Sequence, residues 1–292
     1  MDGCSQGARD RAVLLACVFV VALVLAGALR AGVAQAGRYV TFVCHDGAGA
    51  AMPADLLSAQ ITGSFSPSYF RMSNTCAAGD QGSVNAEVGG CTGCYFGSLG
   101  VVYVLAPPAG VSISAYQARY FQGLRGCDVI NGGCSDGQGG NFAIDSQHAA
   151  PNFAFHSVGP ALGGPYWLSA NNLDASYLQF FSGCDATYGN CLGSGTLSAL
   201  YLRSLTAVLD DHSVPLVLAA GGPLISGQAV SGTERASYTA QDSGGGIYSE
   251  HAYVDGNLVL EQPVDSNNGR CVDHGTVPGM RSFGYVQPCK DT

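Results

Sequence analysis

Two short motifs in the sequence have the spacing of reactive sites. Residues 133–137 read Gly-Cys-Ser-Asp-Gly, which matches the G-x-S-x-G pattern of a serine nucleophile on a sharp strand-to-helix turn. The glycine-rich residues 138–141 do not predict the helix that must follow. Residues 91–94 read Cys-Thr-Gly-Cys, a redox spacing that also needs a helix N-terminus, and residues 95–100 do not predict one. We therefore interpret both motifs as loops, the second closed by a structural disulfide.

Carboxylates are a second source of chemistry, because two of them about 5 to 10 Å apart can hydrolyse a glycosidic bond. The candidates are Glu87, Asp128, Asp136, Asp145, Asp174, Asp185 and Asp211. The sequence does not show which of these converge. A glycan hydrolase or lyase is therefore an alternative function, and no catalytic residue is assigned.

Metal binding has little support in the sequence. The six histidines show neither H-x-H nor H-E-x-x-H spacing, so no metal site and no cofactor are predicted. Calcium stays open as an alternative, since Asp128, Asn131, Asp136 and Asn141 offer oxygen ligands in a glycine-rich segment. Turn residues that bond their own backbone explain that segment equally well.

Aromatic residues beside amides and carboxylates give the preferred candidate site. The flat faces of sugars stack on exposed tryptophan and tyrosine rings, while their hydroxyls bond to nearby polar groups. The predicted ligand-binding residues are Tyr166, Trp167, Asn171, Asn172 and Asp174. Packing in a core is the alternative explanation for such rings.

Residues 1–36 have the order of a secretory signal peptide. Arg9 and Arg11 precede an apolar run over residues 12–29, and small residues at 33–36 form a cleavage site. The run of about 18 residues is also long enough for an uncleaved anchor. We expect a secreted or extracytoplasmic protein, or one that residues 12–29 anchor in a membrane.

Ten of the 12 cysteines follow this segment, which predicts five disulfides in an exported protein. The sequence leaves the connectivity open, but spacing and elimination favour Cys44 with Cys76, Cys91 with Cys94, Cys127 with Cys134, Cys184 with Cys191 and Cys271 with Cys289. The net charge of −9 makes nucleic acid an unfavourable partner.

The elements that position these residues are predicted to be strands. Short β-branched and aromatic runs occur at residues 38–44, 152–158, 165–169, 177–184 and 198–210. Residues 101–106 and 111–120 flank Pro-Pro-Ala-Gly and predict a hairpin, and Asp255-Gly256 predicts another. Within residues 198–210, alternation places Leu200, Leu202, Ser204, Thr206 and Val208 on one face. Only residues 53–60 favour a helix, of two turns.

The pattern of predicted strands and turns changes near residue 213, and this change predicts two β-sandwich domains. Residues 37–212 are long enough for a jelly-roll or lectin-like sandwich. Residues 213–292 are shorter than a complete immunoglobulin-like sandwich, so we expect an incomplete immunoglobulin-like module there. An open edge in such a module would favour pairing with another chain.

Several stretches support this division: Asp210-Asp211, residues 230–233, residues 240–247, residues 254–256 and the final Pro288-Cys289. In them the chain resembles a group of uncharacterised secreted bacterial proteins, in which a lectin-like or jelly-roll β-sandwich precedes an immunoglobulin-like module. The resemblance covers most of the chain after residue 36 and implies no catalytic residues.

The function that follows is a secreted or cell-surface protein without catalytic activity that binds a carbohydrate or an envelope polymer. A glycan hydrolase or lyase on the same fold is one alternative. A structural envelope or adhesion component is the other, favoured if a C-terminal edge strand pairs with a second chain.

Overall fold

A computed structural model describes residues 37–46, 48–53, 56–62, 70–89, 99–124, 140–147, 153–158, 162–184, 196–226, 229–264 and 267–290. Their regular structure is almost entirely β, because short alternating runs and frequent glycines favour strands and turns over helices. One 3₁₀ helix is present at Cys76–Gln81. The strands are β1 (Arg38–Val43), β2 (Leu57–Thr62), β3 (Phe70–Asn74), β4 (Val84–Gly89), β5 (Leu99–Leu105), β6 (Val111–Leu124), β7 (Gly140–Gln147), β8 (Phe153–Val158), β9 (Leu162–Ala175), β10 (Tyr177–Cys184), β11 (Thr196–Asp211), β12 (Leu216–Gly221), β13 (Ser237–Gln241), β14 (Ser249–Val254), β15 (Asn257–Pro263) and β16 (Arg281–Phe283).

The first sheet is organised around the long strand β11. Along one side β11 pairs with β6, and β6 pairs in turn with β9. Along its other side, β11 pairs with β4 through its first half and with β1 through its second half. Strands β3 and β16 extend the sheet beyond β4 and β1. All these pairs are antiparallel except β1 with β16.

A second sheet, in the order β2-β5-β10-β7-β8, lies against the first. Apolar side chains from both sheets form one core, with Leu105 and Phe180 of the second sheet packed in the same cluster as Leu202 of the first. The hydroxyl of Tyr103 in β5 donates a 2.9 Å hydrogen bond to the carbonyl of Asn85 in β4. The chain is therefore a two-sheet β-sandwich, as the sequence predicts.

Most of the predicted strands are confirmed, but one predicted hairpin is wrong. Strand β5 pairs with β2 and β10 in the second sheet, whereas β6 pairs with β9 and β11 in the first. The Pro107-Pro108 pair offers no backbone N–H groups to a ladder. The connection is long enough to cross the roughly 10 Å between packed sheets, so β5 and β6 belong to different sheets of the sandwich.

The face assignment of β11 is also wrong in part. The register with β6 shifts between Leu202 and Ser204, so that Arg203 is an extra residue in β11. Such a bulge reverses the alternation beyond it. Leu202 and Leu205 are both fully buried, while Ser204 is only partly buried.

The helix predicted at residues 53–60 is wrong as well, since Leu57–Thr62 forms strand β2. Pairing with β5 and burial of Leu57 stabilise this segment as a strand, whereas two isolated helical turns would be only marginally stable.

Residues 267–290 pack against β1. Val40, Phe42 and Met52 form a small second core, which Val277 and Met280 partly cover. The Cys271–Cys289 disulfide closes this segment. Gly246 is required beside it, because its φ is 82° and a Cβ there would lie 2.3 Å from the carbonyl oxygen of Cys289.

Strands β14 and β15 form a two-stranded hairpin, and most of it, Glu250–Gln262, belongs to a second compact unit. Asp255 and Gly256 have φ values of 51° and 80°, so the predicted tight turn is confirmed. Strands β12 and β13 form another two-stranded sheet. The immunoglobulin-like module at residues 213–292 and the boundary near residue 213 stay predictions.

Two of the five predicted disulfides, Cys44–Cys76 and Cys271–Cys289, are confirmed. The other three pairings involve Cys91, Cys94, Cys127, Cys134 and Cys191, which lie outside the described residues, and Cys184, whose side chain is not described. The predicted signal segment at residues 1–36 also lies outside them. No helix in the described part of the chain is long and apolar enough to cross a membrane.

Candidate functional site

The outer face of the first sheet carries a row of side chains that runs across three strands. Trp167 of β9 pairs with Arg119 of β6, and Arg119 pairs with Ser204 of β11. Two residues along each strand, and on the same face, Gln117 of β6 pairs with Thr206 of β11. Directly opposed residues on one face of a sheet have Cβ atoms about 5 Å apart, so these side chains are neighbours although they are distant in sequence.

These residues line a depression with a volume of about 210 Å³. Its wall on the β1 side is the turn after that strand, which contributes His45, Asp46 and Gly49. Arg203, the extra residue of the bulge in β11, also lines it. A bulge beside a site commonly re-aims side chains, and this one places Arg203 and Ser204 together at the depression.

The turn that carries His45 is held from several sides. Cys44, the residue before it, has a φ of 71° and forms the disulfide with Cys76. The Asp46 carboxylate accepts hydrogen bonds from the backbone N–H groups of Ala48 at 2.9 Å and Ala50 at 2.8 Å. The turn is therefore a preorganised wall of the depression.

The contacts of His45 define its tautomer. Nδ1 lies 2.7 Å from the carbonyl oxygen of Arg203, and because a carbonyl can only accept, Nδ1 must donate. The side chain is only 6% exposed, and Nε2 is buried without a hydrogen-bond partner among the described residues. In the neutral ring Nε2 is an acceptor, so the depression contains an unused acceptor.

Trp167 is 60% exposed, more than any other aromatic side chain that the structure describes on this face. The guanidinium carbon of Arg119 lies 5.7 Å from the centroid of its ring, a distance at which a cation is attracted to an aromatic face. By contrast, Tyr116, Tyr120 and Phe180 are buried in the core. Core packing thus explains those rings but not Trp167.

Of the predicted ligand-binding residues whose side chains the structure describes, Trp167 alone lines the depression. Asn171 and Asp174 are exposed further along β9, and four residues of strand place Asn171 about 13 Å from Trp167. Asn172 has a φ of 56° within an irregularity of the β6–β9 pairing. Tyr166 pairs with Tyr120, and its side chain lies outside the described set.

The structure adds residues that the sequence did not predict for the site: His45, Gln117, Arg119, Arg203, Ser204 and Thr206. One signal was available for the two arginines. Charged residues make up only 11% of the chain, so an arginine in the middle of an otherwise apolar strand is itself unusual.

The predicted carboxylates have structural partners where the structure describes them. Glu87 accepts a 2.8 Å hydrogen bond from the Tyr201 hydroxyl, and burial raises the pKa of Tyr201 to about 12. Asp211 accepts backbone hydrogen bonds from Ser213 and Gly245. Asp128, Asp136 and Asp185, together with the 91–94 and 133–137 motifs, lie outside the described residues, and the Asp145 side chain is not described.

Within the described residues, no three His, Cys, Asp or Glu side chains form a metal-binding group. The candidate calcium ligands Asp128, Asn131 and Asp136 lie outside those residues, and the side chain of Asn141 is not described.

No known protein family matches the sequence, and no curated protein matches it. Solved structures with a similar arrangement of strands include a family 61 carbohydrate-binding module in complex with β-1,4-galactotriose, with 10% identity, a TM-score of 0.28 and coverage of 51% of this chain and 86% of that one. A family 29 module has 10% identity, a TM-score of 0.29 and coverage of 59% and 91%. A family 32 module from C. perfringens NanJ in complex with galactose has 8% identity, a TM-score of 0.26 and coverage of 59% and 99%. At these scores, the β-sandwich assignment rests on the strand pairing and the shared core described above.

Proposed function

We propose that this chain is a carbohydrate-binding β-sandwich whose ligand stacks on Trp167. The observation that carries the proposal is an exposed indole at the rim of a depression whose other lining residues are polar. A sugar presents an apolar ring face together with hydroxyl groups, and this combination matches an aromatic platform beside hydrogen-bonding side chains.

The hydrogen-bonding groups are available on three strands and one turn. Gln117, Ser204 and Thr206 offer donors and acceptors from the sheet. Nε2 of His45 offers an acceptor for a sugar hydroxyl from the wall. Both strand-borne and turn-borne groups are held by backbone pairing, so binding requires little ordering of the site.

The proposal includes an extracytoplasmic location and no catalytic activity. Two disulfides support the location, because such bonds persist in oxidising compartments. Among the described residues a single carboxylate, that of Asp46, lines the depression, whereas glycoside hydrolysis ordinarily needs two. Asp46 is also occupied in holding its own turn.

Binding of the purified protein to a panel of polysaccharides tests the proposal, with Trp167→Ala as the variant. A sugar that covers about 60 Å² of the ring gains about 1.5 kcal/mol, so the variant should bind roughly tenfold more weakly. Tyr253→Ala is the matched control, since Tyr253 is an exposed aromatic residue at 53% that lies outside the site. Failure of the wild-type protein to bind any polymer, or equal binding by Trp167→Ala, would refute the proposal.

The hairpin β14–β15 supports a second candidate function, that of a structural or adhesion component. Its apolar side chains are exposed on both strands, among them Tyr253, Leu258 and Val259. Exposed apolar patches commonly mark association surfaces. This candidate predicts an oligomer in light scattering that Val259→Thr weakens, and a strict monomer at high concentration would count against it.

A further inference from the structure

Basic side chains outnumber acidic ones among the described residues that line the depression beside Trp167, although the net charge of the chain is −9. These lining residues include two arginines, Arg119 and Arg203, and one carboxylate, that of Asp46. Charged residues are scarce in this protein, at 11% of the chain. Two arginines on adjacent strands are therefore a local departure from the acidic composition of the chain, and the guanidinium of Arg119 lies beside the ring of Trp167.

Arg119 has no anionic partner among the described residues. It is partly buried, and its Nε is buried without a hydrogen-bond acceptor. Its described contact is with the ring of Trp167, at 5.7 Å. Since a buried donor without an acceptor is unfavourable, this arrangement does not serve folding alone. It is the arrangement expected of a donor that a ligand satisfies.

Asp46 does not supply the missing acceptor. Its Oδ1 accepts two backbone N–H groups of its own turn, from Ala48 and Ala50. His45 does not supply it either, because its Nε2 is itself without a partner. One residue of the wall and one of the sheet, both of which line the depression, therefore each carry a polar atom without a hydrogen-bond partner among the described residues.

We propose that the ligand is an acidic saccharide, a polymer whose sugar rings carry a carboxylate. This inference rests on the proposed carbohydrate-binding function and names the substrate class of the same site. The ring stacks on Trp167, the carboxylate accepts hydrogen bonds from the Arg119 guanidinium, and a ring hydroxyl donates to Nε2 of His45. A guanidinium binds a planar carboxylate through two parallel N–H groups, which a neutral sugar cannot match.

Polygalacturonic acid and its carboxyl-reduced form test the proposal, because the two polymers share a backbone and differ only in the carboxylate. Affinity electrophoresis and calorimetry should show the acidic polymer bound at least tenfold more tightly by the wild-type protein. Arg119→Gln should remove most of that preference, so that its affinities for the two polymers differ by no more than about twofold. Arg119→Lys should restore only part of it, because lysine keeps the charge but not the fork of donors.

Arg235→Gln is the matched control, since Arg235 is exposed in a loop that does not line the depression. It should bind both polymers like the wild type. Circular dichroism and urea unfolding confirm that each variant is folded. The preference should also weaken as salt rises from 0.05 to about 0.5 M, because screening reduces the attraction between exposed charges.

The outcomes separate this inference from the function on which it rests. Equal binding of both polymers by the wild type, with loss of both in Trp167→Ala, would overturn the acid preference and leave carbohydrate binding standing. An undiminished preference in Arg119→Gln would overturn the role of Arg119. Binding of no polymer at all would overturn both proposals.

Discussion

Deleting Arg203 tests how the bulge in β11 assembles the site. Arg203 is the extra residue between Leu202 and Ser204, and without it the alternation of β11 becomes continuous. Leu202 and Leu205 then still face the core. The deletion should therefore preserve the sandwich while it removes one lining residue together with the backbone carbonyl that His45 contacts.

Deletion of Tyr201, two residues earlier, is the matched comparison. Tyr201 lies in a regular part of β11, so its loss shifts the preceding residues by one and turns Leu200 away from the core. Leu200 is fully buried, and replacing such a side chain by a smaller one costs about 2 to 5 kcal/mol. The loss of the His45 hydrogen bond in the Arg203 deletion costs about 1 kcal/mol.

Urea unfolding followed by far-ultraviolet circular dichroism measures both deletions. The Arg203 deletion should be more stable than the Tyr201 deletion by at least about 1 kcal/mol. Because the Tyr201 hydroxyl also donates to Glu87, Tyr201→Phe measures that contribution separately. The account of the bulge is wrong if the Arg203 deletion is the less stable of the two.

Three further predictions concern stability. Replacing Cys271 and Cys289 by serine opens a loop with a sequence separation of 18, which should lower the free energy of unfolding by about 3 kcal/mol, as measured by urea unfolding. No change in that free energy would show that packing alone holds the segment. Burial and the nearby carboxylates raise the pKa of Tyr39, so folding should lose stability as the pH rises above about 10, where an unfolded tyrosine ionises. A spectroscopic titration should show buried tyrosines, Tyr39 among them, still protonated when the exposed ones have ionised, and ionisation of all of them together would contradict this. The hydrogen bonds from Arg38 lower the pKa of Asp210, so the ion pair stabilises the fold above about pH 4, and this stabilisation is lost as the pH falls through the lowered pKa of Asp210 in the folded protein. Because the pair is exposed, Asp210→Asn should change the free energy of unfolding by less than about 1 kcal/mol and should reduce its dependence on pH in the acid range. An unchanged acid dependence would contradict this.

The site depends on two features of the backbone. The Cys44–Cys76 disulfide fixes the turn that carries His45, and the bulge sets the direction of Arg203. Both features act through the position of the backbone, so a change at either of them should alter the binding of a ligand.

Local patterns in the sequence determined most of the strands of this protein. Alternation of apolar residues and the positions of turn residues depend on neighbours within a few positions, so β1, β10, β11 and the Asp255-Gly256 turn could be predicted directly. The Cys44–Cys76 and Cys271–Cys289 pairs followed from elimination and spacing. Trp167 could be chosen because its residue type and its polar neighbours are visible in the sequence.

Only the tertiary structure decided which residues surround Trp167. Arg119 lies 48 positions earlier in the sequence, and the His45 contact with Arg203 spans 158 positions. Pairing between distant strands depends on the whole core, which also sends β5 and β6 to different sheets. A bulge of one residue in β11 reverses the faces beyond it, and no local pattern marks its position, because a pleated strand specifies alternation but not where the alternation is interrupted.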